Sequence, residues 1–197
     1  QVYARYPYDG KAQVTIDGDS VTSVVVSFQN TKSEELEAFV RGVIESEEYL
    51  INPAGEWKIG GFDVDSGLSG RKIVIDNYGP EVSVGGGSFS GKDATKVDRS
   101  GAYMARRIAV DLLKKYEARE VKTKLAYAIG KAEPLMKTAE LFHPEPGRMG
   151  GRRLETIEIE GYDLTPRGII EFLNLKEPIF AETSKFGHFG LDNTIWG

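Results

Sequence analysis

Hydrophobic and polar residues alternate in the first part of the chain. Residues 12–17 place Val14 and Ile16 between polar neighbours, and this period of two predicts a half-buried strand. The run from Val21 to Gln29 is rich in β-branched residues and predicts a second strand. Because Asp17-Gly18-Asp19 has the composition of a turn, we expect the two strands to form a hairpin.

The hydrophobic period then changes to that of a helix. The apolar positions at helical spacing are Leu36, Phe39, Val40, Val43 and Ile44. They predict an amphipathic helix over 33–46, with Ser33 as its N-cap. Asn52-Pro53-Ala54-Gly55 ends the regular structure, and the stretch from Arg71 to Tyr78 predicts a strand with alternate isoleucines on one face.

The second half of the chain begins with the longest predicted helix, over about 97–117, which follows a glycine-rich stretch over 79–95. The predicted buried stripe of this helix consists of Ala105, Ile108, Ala109, Leu112 and Tyr116. Lys114 and Lys115 suit its last turn, because cations are favourable at the C-terminal end of a helix.

Three more strands and a short helix are predicted after the long helix. The strands lie at about 121–130, 135–142 and 155–160. The segment 143–152 has the composition of an exposed loop. Thr165-Pro166 predicts an N-cap followed by proline at the first position of a helix, which would reach about Asn174.

This order of elements favours an α+β fold. We expect two related units, each with helices packed on one face of an antiparallel or mixed sheet. The predicted units are 1–80 and 81–197, with segments that can interleave.

Composition narrows the possible chemistry. The 197 residues include 25 basic and 30 acidic side chains, a formal charge of −5, and no cysteine. The sequence therefore offers no disulfide, thiol nucleophile or cysteine zinc site, and two histidines, His143 and His188, exclude a multi-histidine metal site. Mild acidity disfavours a nucleic-acid partner, and no run of about 18 apolar residues predicts a membrane span. We expect a cytoplasmic protein without a signal peptide.

Charged residues lie beside glycines in three segments. These segments are Tyr8 to Lys11, Asp65 to Lys72, and Gly85 to Arg99. Glycine lets backbone amides approach an anion closely, a helix N-terminus adds partial positive charge, and aspartate can hold Mg²⁺ beside a polyphosphate. A single loop of this kind is more often a surface turn, and Gly91-Lys92-Asp93 does not meet the Walker A spacing. The residues by themselves therefore indicate an anion or nucleotide binder.

Seven blocks of sequence occur in an order typical of one enzyme family. The strongest is GGGSFSGKDATKVDRSGAYMAR (85–106), followed by YAIGKAEP (127–134). The others are YDGKAQVT (8–15), INPAGEWKIGG (51–61), GLSGRKIVIDNYG (67–79), YDLTPRGIIEFLNL (162–175) and GHFG (187–190). In these blocks, which extend over nearly the whole chain, the protein resembles the S-adenosylmethionine synthetases, also called methionine adenosyltransferases.

The resemblance implies a reaction, two cations and an assembly. The family makes S-adenosylmethionine from ATP and L-methionine: the methionine sulfur attacks ribose C5′ and expels triphosphate, which is then hydrolysed to pyrophosphate and phosphate. Fixed cations would stabilise the charge that develops on this leaving group. The family also uses Mg²⁺ and K⁺. Its active site lies between subunits, so the resemblance implies a homodimer, a dimer of dimers, or a hetero-oligomer with a chain that carries the family's N-terminal domain.

The resemblance also implies roles for individual residues by their motif positions. The phosphates would be held, with a catalytic effect, by Lys11, Arg71, Lys72 and Lys92. The rest of the ATP site would consist of Asp9, Trp57, Asp65, Ser88 and Ile129, with the indole stacked on adenine. Asp65 and Lys96 would contact methionine, and Asp98 would bind Mg²⁺.

Plainer interpretations stand beside these roles. Arg71 and Lys72 are then solvated charges at a strand end, Asp98 complements a helix N-terminus, and Trp57 is a core residue. The two histidines carry no family motif, and they are expected to be a solvated loop residue, His143, and a packing residue, His188.

Several features depart from the family. Phe62-Asp63-Val64 makes one loop bulkier, Glu56 replaces a basic residue, and Val84 replaces a histidine, so adenine contacts or loop mobility would differ. The N-terminal domain, with its His-Pro-Asp-Lys motif and its K⁺ site, has no counterpart, and the sequence begins at Gln1 rather than Met. We therefore expect a fragment or one subunit of a split enzyme, inactive without a chain that carries that domain. A non-catalytic assembly or regulatory partner, and a different nucleotide or polyphosphate enzyme, remain alternatives.

Overall fold

The computed structural model describes residues 1–17, 19–67, 73–79, 82–144, 152–183, 185, 187–191 and 194–197. The chain forms two compact units, Gln1–Leu68 and Ser69–Gly197, so the division falls before the boundary after residue 80 that the sequence suggests. Each unit combines one sheet with helices, and the fold is α+β.

The first unit is built around a three-stranded mixed sheet. Its elements are α1 (Val2–Arg5), β1 (Gly10–Asp17), β2 (Ser20–Phe28), α2 (Ser33–Arg41), β3 (Glu48–Ile51) and a 3₁₀ turn (Gly61–Asp63). β2 lies in the middle, antiparallel to β1 and parallel to β3, which confirms the predicted hairpin. The core of this unit consists of Val24, Val26 and Phe28 of β2 with Leu36 and Val40 of α2.

Two predictions in the first unit are wrong in detail. Val14 and Ile16 are 43% and 64% exposed rather than half-buried, because α2 packs against β2 and leaves β1 at the edge. The helix α2 ends at Arg41 instead of reaching residue 46, and its N-cap is Lys32. Ser33 is already helical, and its backbone N–H donates to Glu56 Oε1 at 3.0 Å.

The second unit contains a three-stranded antiparallel sheet in the order β4-β5-β6. Its elements are α3 (Ile73–Asp76), α4 (Val97–Lys115), β4 (Glu120–Ala126), β5 (Met136–Pro144), β6 (Arg152–Glu158), α5 (Pro166–Phe172) and α6 (Phe180–Thr183). The core gathers Met104 and Ile108 of α4, Leu141 of β5 and Ile169 of α5. The predicted long helix and the three strands are confirmed, although β4 ends at Ala126.

The face that α4 buries differs from the predicted stripe. Ile108 and Leu112 are buried as expected, but Tyr116 is 38% exposed because it follows the last helical residue as the C-cap. Tyr103 is fully buried instead, although the prediction omitted it.

The predicted strand from Arg71 to Tyr78 is wrong. Ile73–Asp76 is a short helix, and the backbone N–H of Asn77 donates to Ile73 O at 3.0 Å. A strand would need a neighbouring strand for its backbone groups, whereas the helical turn satisfies them locally. Arg71 and Lys72 lie outside the described residues.

The ends of β5 and α5 carry two further outcomes. His143 and Pro144 pair with β6 and complete β5, so the His143 side chain is 16% exposed and not solvated as predicted; residues 145–151 of the predicted loop lie outside the described residues. The predicted cap of α5 is confirmed, because Thr165 Oγ1 accepts a hydrogen bond from Gly168 N–H at 3.1 Å. In the part of the chain that the structure describes, no helix combines the length and the apolar character that crossing a membrane requires.

Candidate functional site

A lysine and an aspartate meet at the beginning of α4. Lys92 lies in the glycine-rich loop before the helix, and Asp98 lies in the first helical turn. The Lys92 ammonium donates to Asp98 Oδ2 at 2.5 Å. Both side chains remain partly open to solvent, with exposed fractions of 26% and 41%. The pair is therefore accessible to a ligand.

Two adjacent glycines lie directly against this pair. A Cβ at Gly86 would lie 2.1 Å from Asp98 Oδ1, and a Cβ at Gly87 would lie 2.7 Å from Lys92 Nζ. Both distances are far below van der Waals contact. The backbone at Gly86 and Gly87 thus lies directly against the two charged groups, as expected of a glycine loop that presents amides to an anion.

The carboxylate of Asp98 is ionised at neutral pH. The hydrogen bond from Lys92 lowers the pKa of Asp98, burial partly opposes this shift, and the Gly87 backbone N–H lowers the pKa further. An ionised carboxylate offers the hard oxygen that Mg²⁺ prefers. Within the described ranges, no group of three or more His, Cys, Asp or Glu side chains is arranged to hold a metal.

Lys96 is held in a second polar turn. Asp93 Oδ1 accepts hydrogen bonds from the backbone and hydroxyl of Thr95, and Asp93 Oδ2 lies 3.2 Å from Lys96 Nζ. These contacts, led by the Thr95 hydroxyl, lower the pKa of Asp93 to about 2. Lys96 is 54% exposed, so its ammonium can also reach a ligand in solvent.

Arg99 is a buried cation that the sequence reasoning missed. It is 3% exposed and lies one residue after Asp98, inside the strongest sequence block. Its guanidinium donates to Lys92 O at 2.6 Å, Tyr103 Oη at 3.0 Å and Thr183 Oγ1 at 3.1 Å. The spacing of Arg99 and Tyr103 indicates that the two side chains are neighbours on the helix, because residues four apart share a face, but it does not indicate that Arg99 is buried.

His188 is buried beside this arginine cluster. Tyr103 Oη lies 2.6 Å from His188 Nδ1, and Ser90 Oγ lies 3.3 Å from His188 Nε2. The tyrosine hydroxyl also accepts from Arg99 Nε, so Tyr103 joins the arginine to the imidazole ring. Burial lowers the pKa of His188; Arg99 lowers it further, while Asp76 opposes the shift. The expected packing role fits this environment.

A cavity of about 820 Å³ lies beside the Lys92–Asp98 pair. Gly86, Gly87 and Asp98 form part of its wall. The other walls include β4, the small residues Gly101, Ala102, Ala105 and Ala109 of α4, and the rings of Tyr78, Phe89, Tyr127 and Phe189. Burial raises the pKa of Tyr127 to about 12, and its hydroxyl donates to Leu164 O. The cavity can therefore accept an apolar or aromatic group near the charged pair.

Asp9 and Trp57 come together in the first unit. Asp9 Oδ2 accepts from the backbone N–H of Gly61 at 2.9 Å. A Cβ at Gly60 would lie 2.4 Å from the Trp57 ring and 3.2 Å from Asp9 Cβ. The half-buried indole thus stacks closely against this turn, and the glycine makes the approach possible.

The remaining predicted residues are distributed over both units. Lys11 is exposed on β1 opposite Ser27, and Asp65 is exposed and accepts from Gly67 N–H at 2.8 Å. Ser88 is half-buried in the glycine loop near Lys92, whereas Ile129 is fully exposed in the turn after β4.

The residues that depart from the family pattern differ in their contacts and exposure. Glu56 lies 2.9 Å from the Lys32 ammonium and also accepts from the backbone of Ser33, so it joins its loop to the start of α2. Phe62 is 87% exposed, and Val84 lines the cavity of the second unit.

Comparisons with known proteins agree on one family. The family model described as S-adenosylmethionine synthetase, C-terminal domain, matches residues 59–197. An S-adenosylmethionine synthase of Thermus thermophilus is 44% identical over 208 residues, covering 95% of this chain and 52% of that protein. An S-adenosylmethionine synthase of Streptococcus thermophilus is 41% identical over 202 residues, covering 92% of this chain and 50% of that protein.

A solved structure resembles the chain over almost its whole length. The unusual S-adenosylmethionine synthetase from Campylobacter jejuni superposes with a TM-score of 0.78 and 27% identity, covering 98% of this chain and 59% of that one. The chain spans about half the length of the curated relatives it matches.

Proposed function

The chain belongs to the S-adenosylmethionine synthetase family, and on that premise we propose that it supplies the phosphate-binding part of a methionine adenosyltransferase. The complete reaction would join ATP and L-methionine into S-adenosylmethionine. The methionine sulfur forms a bond to ribose C5′, the C5′–oxygen bond breaks, and its electron pair leaves with the triphosphate. Hydrolysis of the tripolyphosphate to pyrophosphate and phosphate would follow.

The observation that carries this proposal is the Lys92–Asp98 pair against Gly86 and Gly87. The Lys92 ammonium lies within reach of solvent and beside the half-buried backbone of Gly87, an arrangement suited to phosphate oxygens. Charge accumulates on the triphosphate as the C5′–oxygen bond breaks, so a fixed cation lowers the barrier. Lys96, in the adjacent turn, would bind the methionine carboxylate.

Asp98 fits the proposed Mg²⁺. Its carboxylate is ionised and 41% exposed. Mg²⁺ is commonly bound through one or two carboxylates together with phosphate oxygens and water, so one aspartate beside a phosphate site is sufficient. The ion would supply neutralisation of phosphate charge, and Asp98 would hold it. K⁺ is proposed to bind in the family's N-terminal domain, which carries acidic residues for it.

The first unit carries several of the residues that are proposed to contact ATP. Trp57 would stack on adenine, and Asp9 would contact the nucleotide while it holds Gly61. Lys11 would contact phosphate, and Asp65 would lie between the nucleoside and methionine. The roles proposed for the other motif residues are phosphate contacts by Arg71 and Lys72, and nucleotide contacts by Ser88 and Ile129.

Tripolyphosphate binding tests the phosphate site directly. We expect weak binding by the chain alone, measured by isothermal titration calorimetry and ³¹P NMR, with tighter binding when Mg²⁺ is added. Lys92→Ala should weaken binding by about tenfold, the effect of one charge-assisted contact. Lys114→Ala, on the exposed last turn of the same helix, is the matched control and should leave binding unchanged. Equal affinities of both variants would contradict the proposed site.

Reconstitution tests the complete activity. The protein is mixed with the half of the Thermus thermophilus relative that this chain does not cover, together with ATP, methionine, Mg²⁺ and K⁺. We expect the complex to form S-adenosylmethionine and phosphate, and light scattering should identify it as a dimer or a dimer of dimers. In the cell, we propose a cytoplasmic location. A folded complex without product would favour a non-catalytic assembly or regulatory partner. Turnover of another nucleotide or polyphosphate would favour a different nucleotide or polyphosphate enzyme.

A further inference from the structure

Arg99 joins three elements of the second unit around the loop that carries Lys92. Its guanidinium donates to the backbone oxygen of Lys92 at 2.6 Å, and to Thr183 Oγ1 of α6 at 3.1 Å. It also lies 3.6 Å from the centre of the Phe180 ring. We infer that Arg99 is a positioning residue, which fixes the Lys92 backbone so that its ammonium stands at the anion site; this inference rests on the proposed function.

The geometry requires a guanidinium. Arg99 donates through Nε to Tyr103 Oη, through Nη1 to Lys92 O and through Nη2 to Thr183 Oγ1. These donors point in fixed and different directions within one plane, which an ammonium on a flexible stem cannot reproduce. Replacement by lysine therefore keeps the charge and loses the attachment.

A second attachment holds the same loop two residues earlier. Ser90 Oγ contacts His188 Nε2, and the other ring nitrogen of His188 contacts Tyr103, which also accepts from Arg99. The His188 backbone oxygen accepts from Trp196 Nε1 at 2.8 Å. Ser90 and the Lys92 backbone are thus tied to one buried network, while the Lys92 side chain leaves it toward Asp98.

The partners of Arg99 explain why it positions rather than neutralises. In the described parts of the chain, its hydrogen-bond acceptors are a backbone carbonyl and two hydroxyl groups, all neutral. These groups orient the guanidinium without cancelling its charge. Burying a cation among neutral partners costs free energy, and buried charges of this kind occur frequently at functional sites.

Hydrogen exchange tests the positioning independently of any ligand. In Arg99→Lys we expect backbone amides of residues 88–95 to exchange about tenfold faster, with β5 unchanged. Arg107→Lys is the matched control, because Arg107 lies on the same helix and donates to Asp111 and to Ile195 O instead. If Arg99→Lys does not fold, Thr183→Val removes one of the acceptors and takes its place. Unchanged exchange in the folded variant would overturn the inference.

A double-mutant cycle tests whether Arg99 acts through Lys92. Arg99→Lys should weaken tripolyphosphate binding by about tenfold in the unaltered chain and have almost no effect once Lys92→Ala is present. Equal effects in both backgrounds would show that Arg99 acts independently of Lys92, and would overturn the inference. No binding by the unaltered chain would contradict the proposed function instead, and the exchange measurement would still decide whether Arg99 holds the loop.

Discussion

The charged pair at α4 is a property of single residues. Lys92 and Asp98 are six positions apart, and they meet because the loop turns tightly and the backbone at Gly86 and Gly87 leaves space for them. The neighbouring Gly85 has nothing within 4 Å of an added Cβ, so the three consecutive glycines are not equivalent.

This difference gives a matched pair of substitutions. Gly86→Ala would place a Cβ 2.1 Å from Asp98 Oδ1, and the carboxylate would have to move. We expect about tenfold weaker tripolyphosphate binding in the presence of Mg²⁺, measured by calorimetry. Gly85→Ala should bind as the unaltered chain does. Similar losses in both variants would mean that loop flexibility, not space at Asp98, controls binding.

His188 should make the stability of the second unit depend on pH. Burial lowers its pKa in the folded protein, so the folded state binds fewer protons than the unfolded state. Above the histidine pKa of the unfolded chain, about 6.5, the ring is neutral in both states. The free energy of unfolding should fall as the pH decreases below that pKa. Urea unfolding at several pH values measures this. His188→Gln should reduce the loss between neutral and acidic pH; an identical pH dependence would contradict the assignment.

At the scale of elements, local rules worked where their partners are local. The hairpin β1–β2, the long helix α4 and the capped helix α5 were predicted from periods and caps within each segment. The alternating isoleucines predict a strand from Arg71 to Tyr78, whereas the structure has a short helix at Ile73–Asp76. Alternation identifies a strand only where a neighbouring strand exists, which no local pattern reveals.

The N-cap of α5 can be tested at this scale. Thr165 Oγ1 accepts from the Gly168 backbone, and Ile169 of the helix is buried in the core. Thr165→Ala should lower the free energy of unfolding by about 1 kcal/mol, measured in urea. Thr165→Ser keeps the hydroxyl and should retain most of the stability. A larger loss in the serine variant would show that the methyl group, not the cap, matters.

At the scale of the molecule, the residues that the structure describes form two hydrophobic cores. One contains Leu36 and the other Ile108, and both side chains are fully buried. Because each core belongs to one compact unit, a substitution in one core should destabilise mainly the unit that contains it.

Paired cavity substitutions test this independence. Leu36→Ala should cost about 2–5 kcal/mol and accelerate hydrogen exchange in β2, with β5 little changed. Ile108→Ala should have the opposite distribution. Acceleration of both sheets by either variant would indicate that the chain unfolds as one cooperative body.

The candidate site was predictable in part. The motif predicted that Lys92, Lys96 and Asp98 lie at or just before the start of a helix, and the structure places all three there. The motif could not indicate that Arg99 would be buried, because its partner Thr183 is 84 positions away. Side chains that join distant elements have no local period or cap to identify them.

The sequence by itself determined the α+β class, the periodic elements and, through seven ordered blocks, the family. These features follow from interactions between residues close in the chain or from motif identity. Tertiary structure alone decided which face of α4 is buried, why a Cβ at Gly86 or Gly87 would displace the charged pair, and how Arg99 holds the Lys92 loop. Those outcomes depend on packing between segments far apart in sequence, where steric exclusion and desolvation act on pairs that no single segment contains.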